Sequence, residues 1–449
     1  MNDSIIAKFA SQGIESLRQL DPVLYELLDR EYLRQANSLA MVAASSIADP
    51  SVLICEGMTV GNVTTEGYPG KRFHAGCKVV DEIEQLAIER AQAAFGAKYA
   101  NVQPHSGTSA NEIVMFSLLR PGDTVLGLGL NSGGHLTHGS KASVTGQYFN
   151  AIDYGLNEEG LIDYDQVHEL AAKFKPKLII CGASAYPRFI DFQRFREIAD
   201  AVGAFLLADI SHIAGLVAAG EHPSPIDYAH FTTTSTYKQL CGPRGGLILL
   251  GKDYEYPTPN GNKTLADMIQ KAVFPFFQGT PNLNAISAKA RALAIVLKPE
   301  FKKLARRIVA DAKALADSFI ERRYRVLTGG TDNHMVLIDV SELGITGAIA
   351  ESALEECNII VNKNQIPGDK KSPLVTSGIR LGTNSLASRK MGPSEMSRCA
   401  ELIDLVLSSL KAHGAREYEL QRPVKLTVQE DVKILCNQFP IPRYPNKSS

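Results

Sequence analysis

At 449 residues the chain is too long for one ordinary compact domain and suits two or three lobes. Apolar residues make up 45% and charged residues 21%, the balance of a globular protein with a large core. The formal net charge of −1 gives no general pull toward nucleic acid or a membrane surface, so any anion site has to be built locally.

In chain order, the opening segment MNDSIIAKFASQGIESLRQL is broken by charges and lacks the apolar stretch of a secretory signal. No apolar run approaches the ~20 residues of a membrane span. Residues 1–36 read as an N-terminal helical arm, with Leu17, Leu20, Leu24, Leu27 and Leu28 at helical spacing. The stretch EGMTVGNVTTEGYPGKRFHAG is too rich in turn formers for a regular element, and such a loop in an ordered chain is often functional. From about 80 to 295, helical segments such as VVDEIEQLAIERAQAAFG alternate with the apolar runs TVLGLGL, KLIICGAS, AFLLADIS and GGLILLG. Apolar runs without period-2 alternation predict a buried parallel sheet in a large domain over 37–297. A long helix is expected after Pro299, with Leu304, Ile308, Ala312, Leu315 and Phe319 on one stripe, opening a smaller α+β domain over 298–449. The cysteines (Cys55, Cys77, Cys181, Cys241, Cys357, Cys399, Cys436) are single and fit neither a disulfide framework nor a metal site. Reduced thiols suit the cytoplasm.

Three features of the α/β region carry chemistry. Ser106-Gly107-Thr108, after the strand-like YANVQ, opens a helix whose free N–H groups suit a phosphate, although such a start also reads as an ordinary cap. Asp209 ends the apolar run AFLLAD, where ligands of open α/β sheets gather. A carboxylate there can keep a pyridine nitrogen protonated, or simply cap a helix. Lys238 follows the hydroxyl-rich run Thr232–Thr236 and precedes Gly242-Pro243-Arg244-Gly245-Gly246. Alone it would be a surface charge, but with a lowered pKa it can condense with an aldehyde cofactor.

The segments EGYPGKR, NVQPHSG, PGDTVLG, GGHLTHG, GLIDYD, ASAYPR, HIAGLVAAG, GPRGGLIL, GGTDNH, VNKN and TSGIR run the length of the chain, and with them it resembles serine hydroxymethyltransferase. That resemblance implies an α/β fold of the pyridoxal-phosphate (PLP) fold type I, aspartate aminotransferase-like. A mostly parallel seven-stranded sheet would form the large domain, and active sites would be shared within a homodimer or tetramer. It also implies PLP on Lys238, Asp209 at the ring nitrogen, His135 stacked on the ring, and His212 and Ser184 on its phenolic side. Ser106, Gly107, Thr108 and Ser235 would cradle the phosphate, with Gly279 reaching it from the partner chain. Arg380 resembles the substrate-carboxylate clamp, for which a bidentate guanidinium suits. Glu66 resembles the acid/base group. Glu66, Phe73, Leu130, Gly134, Leu136 and Asn364 resemble the surroundings of tetrahydrofolate, the one-carbon cosubstrate.

The departures from the family cluster at the substrate. Thr64 replaces a tyrosine, Ala44 a serine and Tyr237 a histidine, while Phe73-His74-Ala75 replaces Tyr-Tyr-Gly and Thr280 breaks a glycine pair. Exchanging tyrosine for threonine removes a ring of ~100 Å³, enough to admit a methyl group at Cα. Thr64, Ala44, His74 and Tyr237 are therefore substrate-binding candidates, and Thr64 is similar to the α-methylserine hydroxymethyltransferase and aldolase branch. The expected reaction is cleavage of the Cα–Cβ bond of α-methylserine, giving alanine. Ordinary serine/glycine interconversion and a folate-free aldolase or transaldolase are the alternatives. Retention of Lys238, Asp209, Glu66 and Arg380 speaks against a binding protein without turnover.

Overall fold

The computed structural model describes residues 4–258, 261 and 263–445. It opens with helices α1 (Ile5–Leu20) and α2 (Pro22–Ala36). Asp21 separates them: its carboxylate accepts from the Leu24 N–H at 3.1 Å, and Pro22 takes the first helical position, where no N–H is needed. Neither helix buries a residue within the chain. The leucine stripe therefore faces outward, with Leu20 82% exposed.

The turn-rich stretch does contain regular structure. A 3₁₀ turn at Thr59–Asn62 precedes a short hairpin that pairs Gly67–Tyr68 with Lys71–Arg72. Arg72 folds back across this hairpin and ties it down. Its Nη1 donates to the carbonyls of Thr65 (2.9 Å) and Gly67 (2.8 Å), its Nε to Asp81 (2.8 Å) and its Nη2 to Glu84 (2.6 Å). Asp81 and Glu84 lie on helix α3 (Lys78–Phe95). One guanidinium thus does the work of a longer ladder.

The central sheet follows. In chain order come β1 (Tyr99–Asn101), α4 (Gly107–Leu118), β2 (Thr124–Leu128) and β3 (Asn150–Tyr154). Then come α5 (Tyr164–Phe174), β4 (Leu178–Gly182), α6 (Phe192–Val202), β5 (Phe205–Asp209), β6 (Phe231–Ser235) and β7 (Gly246–Leu250). The spatial order is β1-β7-β6-β5-β4-β2-β3, and β6, β5, β4, β2 and β3 run parallel. β7 is antiparallel to both β6 and β1, although its apolar run read as one more parallel strand. The link from β6 to β7 is too short for a crossover helix, so the chain can only turn back. Within β4 the alternate residues Ile179 and Cys181 join one core while Leu178 and Ile180 join the other. An unbroken apolar run is what a strand covered on both faces requires.

The second lobe begins beyond α7 (Leu283–Val296) with α8 (Pro299–Glu321). This helix joins the two lobes: Phe301, Ala305 and Ile308 pack in the first core, and Ala312, Leu315 and Phe319 in the second. β8 (Arg325–Val326), β9 (Met335–Asp339), β10 (Asn362–Asn364) and β11 (Gly378–Gly382) form an antiparallel sheet in the order β8-β9-β11-β10. Helices α9 (Gly347–Glu356), α10 (Pro393–Ser408) and α11 (Arg422–Gln438) complete the lobe. Leu39 and Met41 pack into this second core, so the segment leaving α2 reaches the far lobe first. Among the described residues no helix is long and apolar enough to cross a membrane.

Candidate active site

Asp209 ends β5, beside Thr233 of β6 in register. It is 7% exposed, and among the described residues each hydrogen bond its carboxylate makes is from a donor. Oδ2 accepts from Asn111 Nδ2 (2.7 Å) and His138 Nε2 (3.2 Å), and Oδ1 accepts from the Ser211 N–H (3.0 Å). Burial alone would raise its pKa. The hydrogen bonds from His138 and the Ser211 amide, with the His138 and His135 rings close by, win and hold the carboxyl far below its usual range. The neighbours are fixed in turn. His138 Nδ1 accepts from the His135 N–H (3.2 Å), which leaves its proton on Nε2 toward Asp209. Asn111 also donates to Thr137 Oγ1 (2.8 Å) and accepts from the Thr233 hydroxyl. His135 Nδ1 meets Thr137 Oγ1 at 2.8 Å. Burial brings the His135 imidazole down to about 4, so it is neutral at physiological pH. His135, His138 and Asp209 offer ligand atoms within 4.8 Å of one another, but they are already spent on hydrogen bonds of this nest.

Lys238 follows β6 and is 6% exposed. Burial lowers its pKa to about 8, with Asp209 opposing and Arg380 and Arg244 assisting. Its main chain is pinned by Ser46, whose hydroxyl donates to the carbonyls of Tyr237 (2.9 Å) and Lys238 (2.5 Å). Tyr237 lies under the Arg244 guanidinium, 3.7 Å from the ring centroid. Ala44 and Tyr237 line one cavity of about 340 Å³ with Ser45, Ser46 and Arg244.

The Ser106 hydroxyl caps α4, accepting from the Ser109 N–H at 2.9 Å. The ordinary cap and the anion site are here the same turn. A Cβ at Gly107 would come within 3.1 Å of Ser235 Cβ and 3.3 Å of Ser211 Oγ, so a side chain here would have to push those serines away from the turn. The hydroxyl of Ser235 and the Nδ1 of His212 are buried with no hydrogen-bond partner among the described residues. Unmatched buried polar atoms are costly unless a ligand meets them. A buried lysine of lowered pKa, an ionised carboxylate and an unmatched hydroxyl at a helix start fit PLP: its aldehyde, its ring nitrogen and its phosphate.

Arg380, in the middle of β11, donates from Nε to Asn362 Oδ1 (3.1 Å) and from Nη1 to the Ser184 carbonyl. Its Nη2 makes no hydrogen bond among the described residues. Burial lowers its pKa to about 10, leaving it charged. His212 stacks on His334 at 5.8 Å. Leu130, Gly134, Leu136 and Asn364 line one pocket of about 250 Å³ with His135 and Ser184. This pocket shares Gly133, Ala185 and Gln365 with a cleft of about 1190 Å³.

The remaining candidates form a separate group. Glu66 sits on the hairpin, its Oε2 3.4 Å from His74 Nε2. A Cβ at Gly279 would lie 3.6 Å from Glu66 Oε1. Phe73 packs edge-on against Phe274, and Thr64, two residues before Glu66, is exposed. Among the described residues, no hydrogen bond, ion pair or ring contact joins Thr64, Glu66, Phe73, His74 or Gly279 to Lys238, Asp209 or Arg380. Sequence reasoning missed His138, although it stands three residues after His135 in GGHLTHG. It also assigned no role to Asn111, one turn into α4, or to Arg72.

A mostly parallel seven-stranded sheet, with a carboxylate at one strand end and a buried lysine beyond its neighbour, defines a PLP-dependent enzyme of fold type I. The serine hydroxymethyltransferase family model matches residues 17–403. A probable serine hydroxymethyltransferase of Rickettsia bellii (strain RML369-C) is 50% identical over 396 residues, covering 88% of this chain and 92% of that protein. The chain belongs to the serine hydroxymethyltransferase family, whose members are PLP-dependent hydroxymethyltransferases with tetrahydrofolate as cosubstrate.

Proposed function

We propose that this enzyme cleaves the Cα–Cβ bond of a serine carrying a substituent on Cα, α-methylserine giving alanine, and passes the one-carbon unit to tetrahydrofolate. The observation that carries the reading is the remodelled substrate wall. Ala44 offers no hydroxyl, Thr64 no ring, and the Tyr237 ring is engaged by Arg244. Such a substrate has no Cα hydrogen, so only bonds to carbon remain to be broken.

PLP held on Lys238 supplies an electron sink for the bond that breaks at Cα. Asp209 keeps its negative charge at the ring nitrogen because all its neighbours are donors. Ser106, Gly107, Thr108 and Ser235 hold the phosphate, and Arg380 takes the substrate carboxylate with its uncommitted Nη2. His135, neutral, would stack on the cofactor ring, and His212 and Ser184 would help to hold it. Glu66 moves the proton of the substrate hydroxyl. In one chain Glu66 lies with His74 and Gly279, apart from Lys238, so this group completes the site of a second copy. The outward apolar stripe of α1 and α2 supports such an assembly. Leu130, Gly134, Leu136 and Asn364, with Glu66 and Phe73 from that second copy, would receive the folate, and the adjoining cleft leaves room for a large carrier.

The test is to incubate the holoenzyme with α-methyl-L-serine or L-serine, with and without tetrahydrofolate, and identify the amino-acid product. Alanine formed from α-methylserine only with tetrahydrofolate is expected. Alanine without it would make the enzyme an aldolase. Glycine from serine at the higher kcat/KM would replace this reading by ordinary serine/glycine interconversion, which the similarity to the Rickettsia bellii relative favours.

A further inference from the structure

Lys289 lies on α7, is 2% exposed and has no carboxylate within hydrogen-bonding distance among the described residues. Its ammonium donates to three main-chain carbonyls: Val102 (2.6 Å), Pro104 (3.1 Å) and Gly246 (3.0 Å). An ammonium carries three protons, and all three are used. Burying a charge in this way is costly unless every donor is matched, so an ammonium at this place calls for a reason.

The three carbonyls show what that reason is. Val102 and Pro104 belong to the segment that leaves β1 and becomes, two residues later, the turn Ser106-Gly107-Thr108. Gly246 opens β7 directly beneath that turn. A Cβ at Gly246 would lie 2.2 Å from the Ser106 carbonyl oxygen, and the Gly246 N–H already donates to Pro104 at 2.9 Å. On its other side the segment is braced by Gln278, which accepts from the His105 N–H (3.1 Å) and donates to the Gln103 carbonyl (3.0 Å). The turn is thus held from below by one cation and from the side by one amide.

We propose that Lys289 is a positioning residue for the phosphate of the cofactor: its ammonium locks the 102–104 segment onto the start of β7 and so sets the turn at Ser106–Thr108. This rests on the assignment of that turn to the phosphate. Burial lowers the Lys289 pKa to about 7 while the Glu84 charge resists; the hydrogen-bond acceptors in reach of the ammonium are the three carbonyls. Methionine at this place fills the same space and removes the ammonium from all three carbonyls, leaving Pro104 with the Gly246 N–H alone.

The experiment uses the PLP holoenzyme of Lys289→Met. The readouts are the rate of PLP release after dilution and the phosphorus resonance of the bound phosphate. Release should quicken about 10- to 100-fold, the size of one charge-assisted hydrogen bond lost, and the resonance should move toward that of free PLP. A variant that melts at lower temperature but keeps the release rate and resonance of the wild type would reduce Lys289 to a core pin and overturn the proposal. Should Lys289→Met fail to fold, Gly245→Ala serves instead. Its Cβ would stand 2.4 Å from Lys289 Cε and 2.9 Å from Nζ, displacing the ammonium without removing it. The same two readouts apply, and unchanged values again overturn the idea. Thr108→Val distinguishes the two levels of the argument: if it leaves release and resonance unaltered, the assignment of the turn falls, whatever Lys289 does.

Discussion

Replacing Asp209 by asparagine keeps the shape of the side chain and removes its charge, and the surroundings allow the consequence to be worked out. The three groups that face it, Asn111 Nδ2, His138 Nε2 and the Ser211 N–H, are all donors. None can become an acceptor cheaply. Asn111 cannot flip without losing the Thr233 hydroxyl at its oxygen and Thr137 at its nitrogen. His138 can shift its proton only by giving up the bond from the His135 N–H, and the Ser211 donor is main chain. Whichever way the new amide turns, its NH₂ meets a donor. That leaves a buried polar group unmatched, at about 1–3 kcal/mol of stability. The charge itself matters separately. Losing a preorganised electrostatic partner typically costs about 2.7–4 kcal/mol in the barrier, a fall in kcat of roughly 10²- to 10³-fold. The assay is steady-state product formation at saturating substrate, with bound PLP measured in the same samples so that lost occupancy is not counted as lost catalysis. A decrease of less than about tenfold at full occupancy would refute the assignment of Asp209 to the ring nitrogen.

Three further outcomes follow from the geometry. Arg72→Met leaves Glu84, whose side chain is 1% exposed, with no cation and only the Gln103 amide (2.7 Å) donating to it, and should lower stability by about 3 kcal/mol in urea unfolding. Burial already raises the Glu84 pKa, and losing Arg72 raises it further; protonation relieves the buried charge, so the deficit should shrink as pH falls. A deficit under about 1 kcal/mol, or one growing toward acid, would contradict the clamp. Lys238, with its pKa lowered to about 8, should capture added PLP at a rate that rises with pH below that value and levels off above it. Stopped-flow absorbance showing an inflection near the ordinary lysine value would count against it. Thr64→Tyr should reduce the kcat/KM preference for α-methylserine over serine by about tenfold or more. An unchanged ratio in competition assays removes the methyl-pocket argument.

Much of the site was legible because its elements are local. Ser106 before a helical period, Asp209 at the end of an apolar run and Lys238 in a glycine-flanked turn each announce themselves within a few residues. The stretch Thr232–Ser235 was readable only as a hydroxyl-rich run. It lies within β6, whose residues are all buried, and Thr233 can be buried there because its hydroxyl finds Asn111 on a helix remote in the sequence. The hairpin carrying Glu66 was hidden for a similar reason. Its short strands owe their order to a guanidinium bonded to a helix that follows later, and no period or turn pattern encodes that.

The sequence by itself determined the layer architecture, the order of helices and most strands, and the residue types at the cofactor, since each depends on patterns within one segment. Tertiary structure decided the direction of β7, the donors that keep Asp209 ionised, and the junction at which Lys289 ties β1 to β7. It also decided which candidates share a site within one chain and which stand apart. Those outcomes depend on charge and burial between segments far apart in the chain, where desolvation costs and hydrogen-bond matching are settled only when the segments meet.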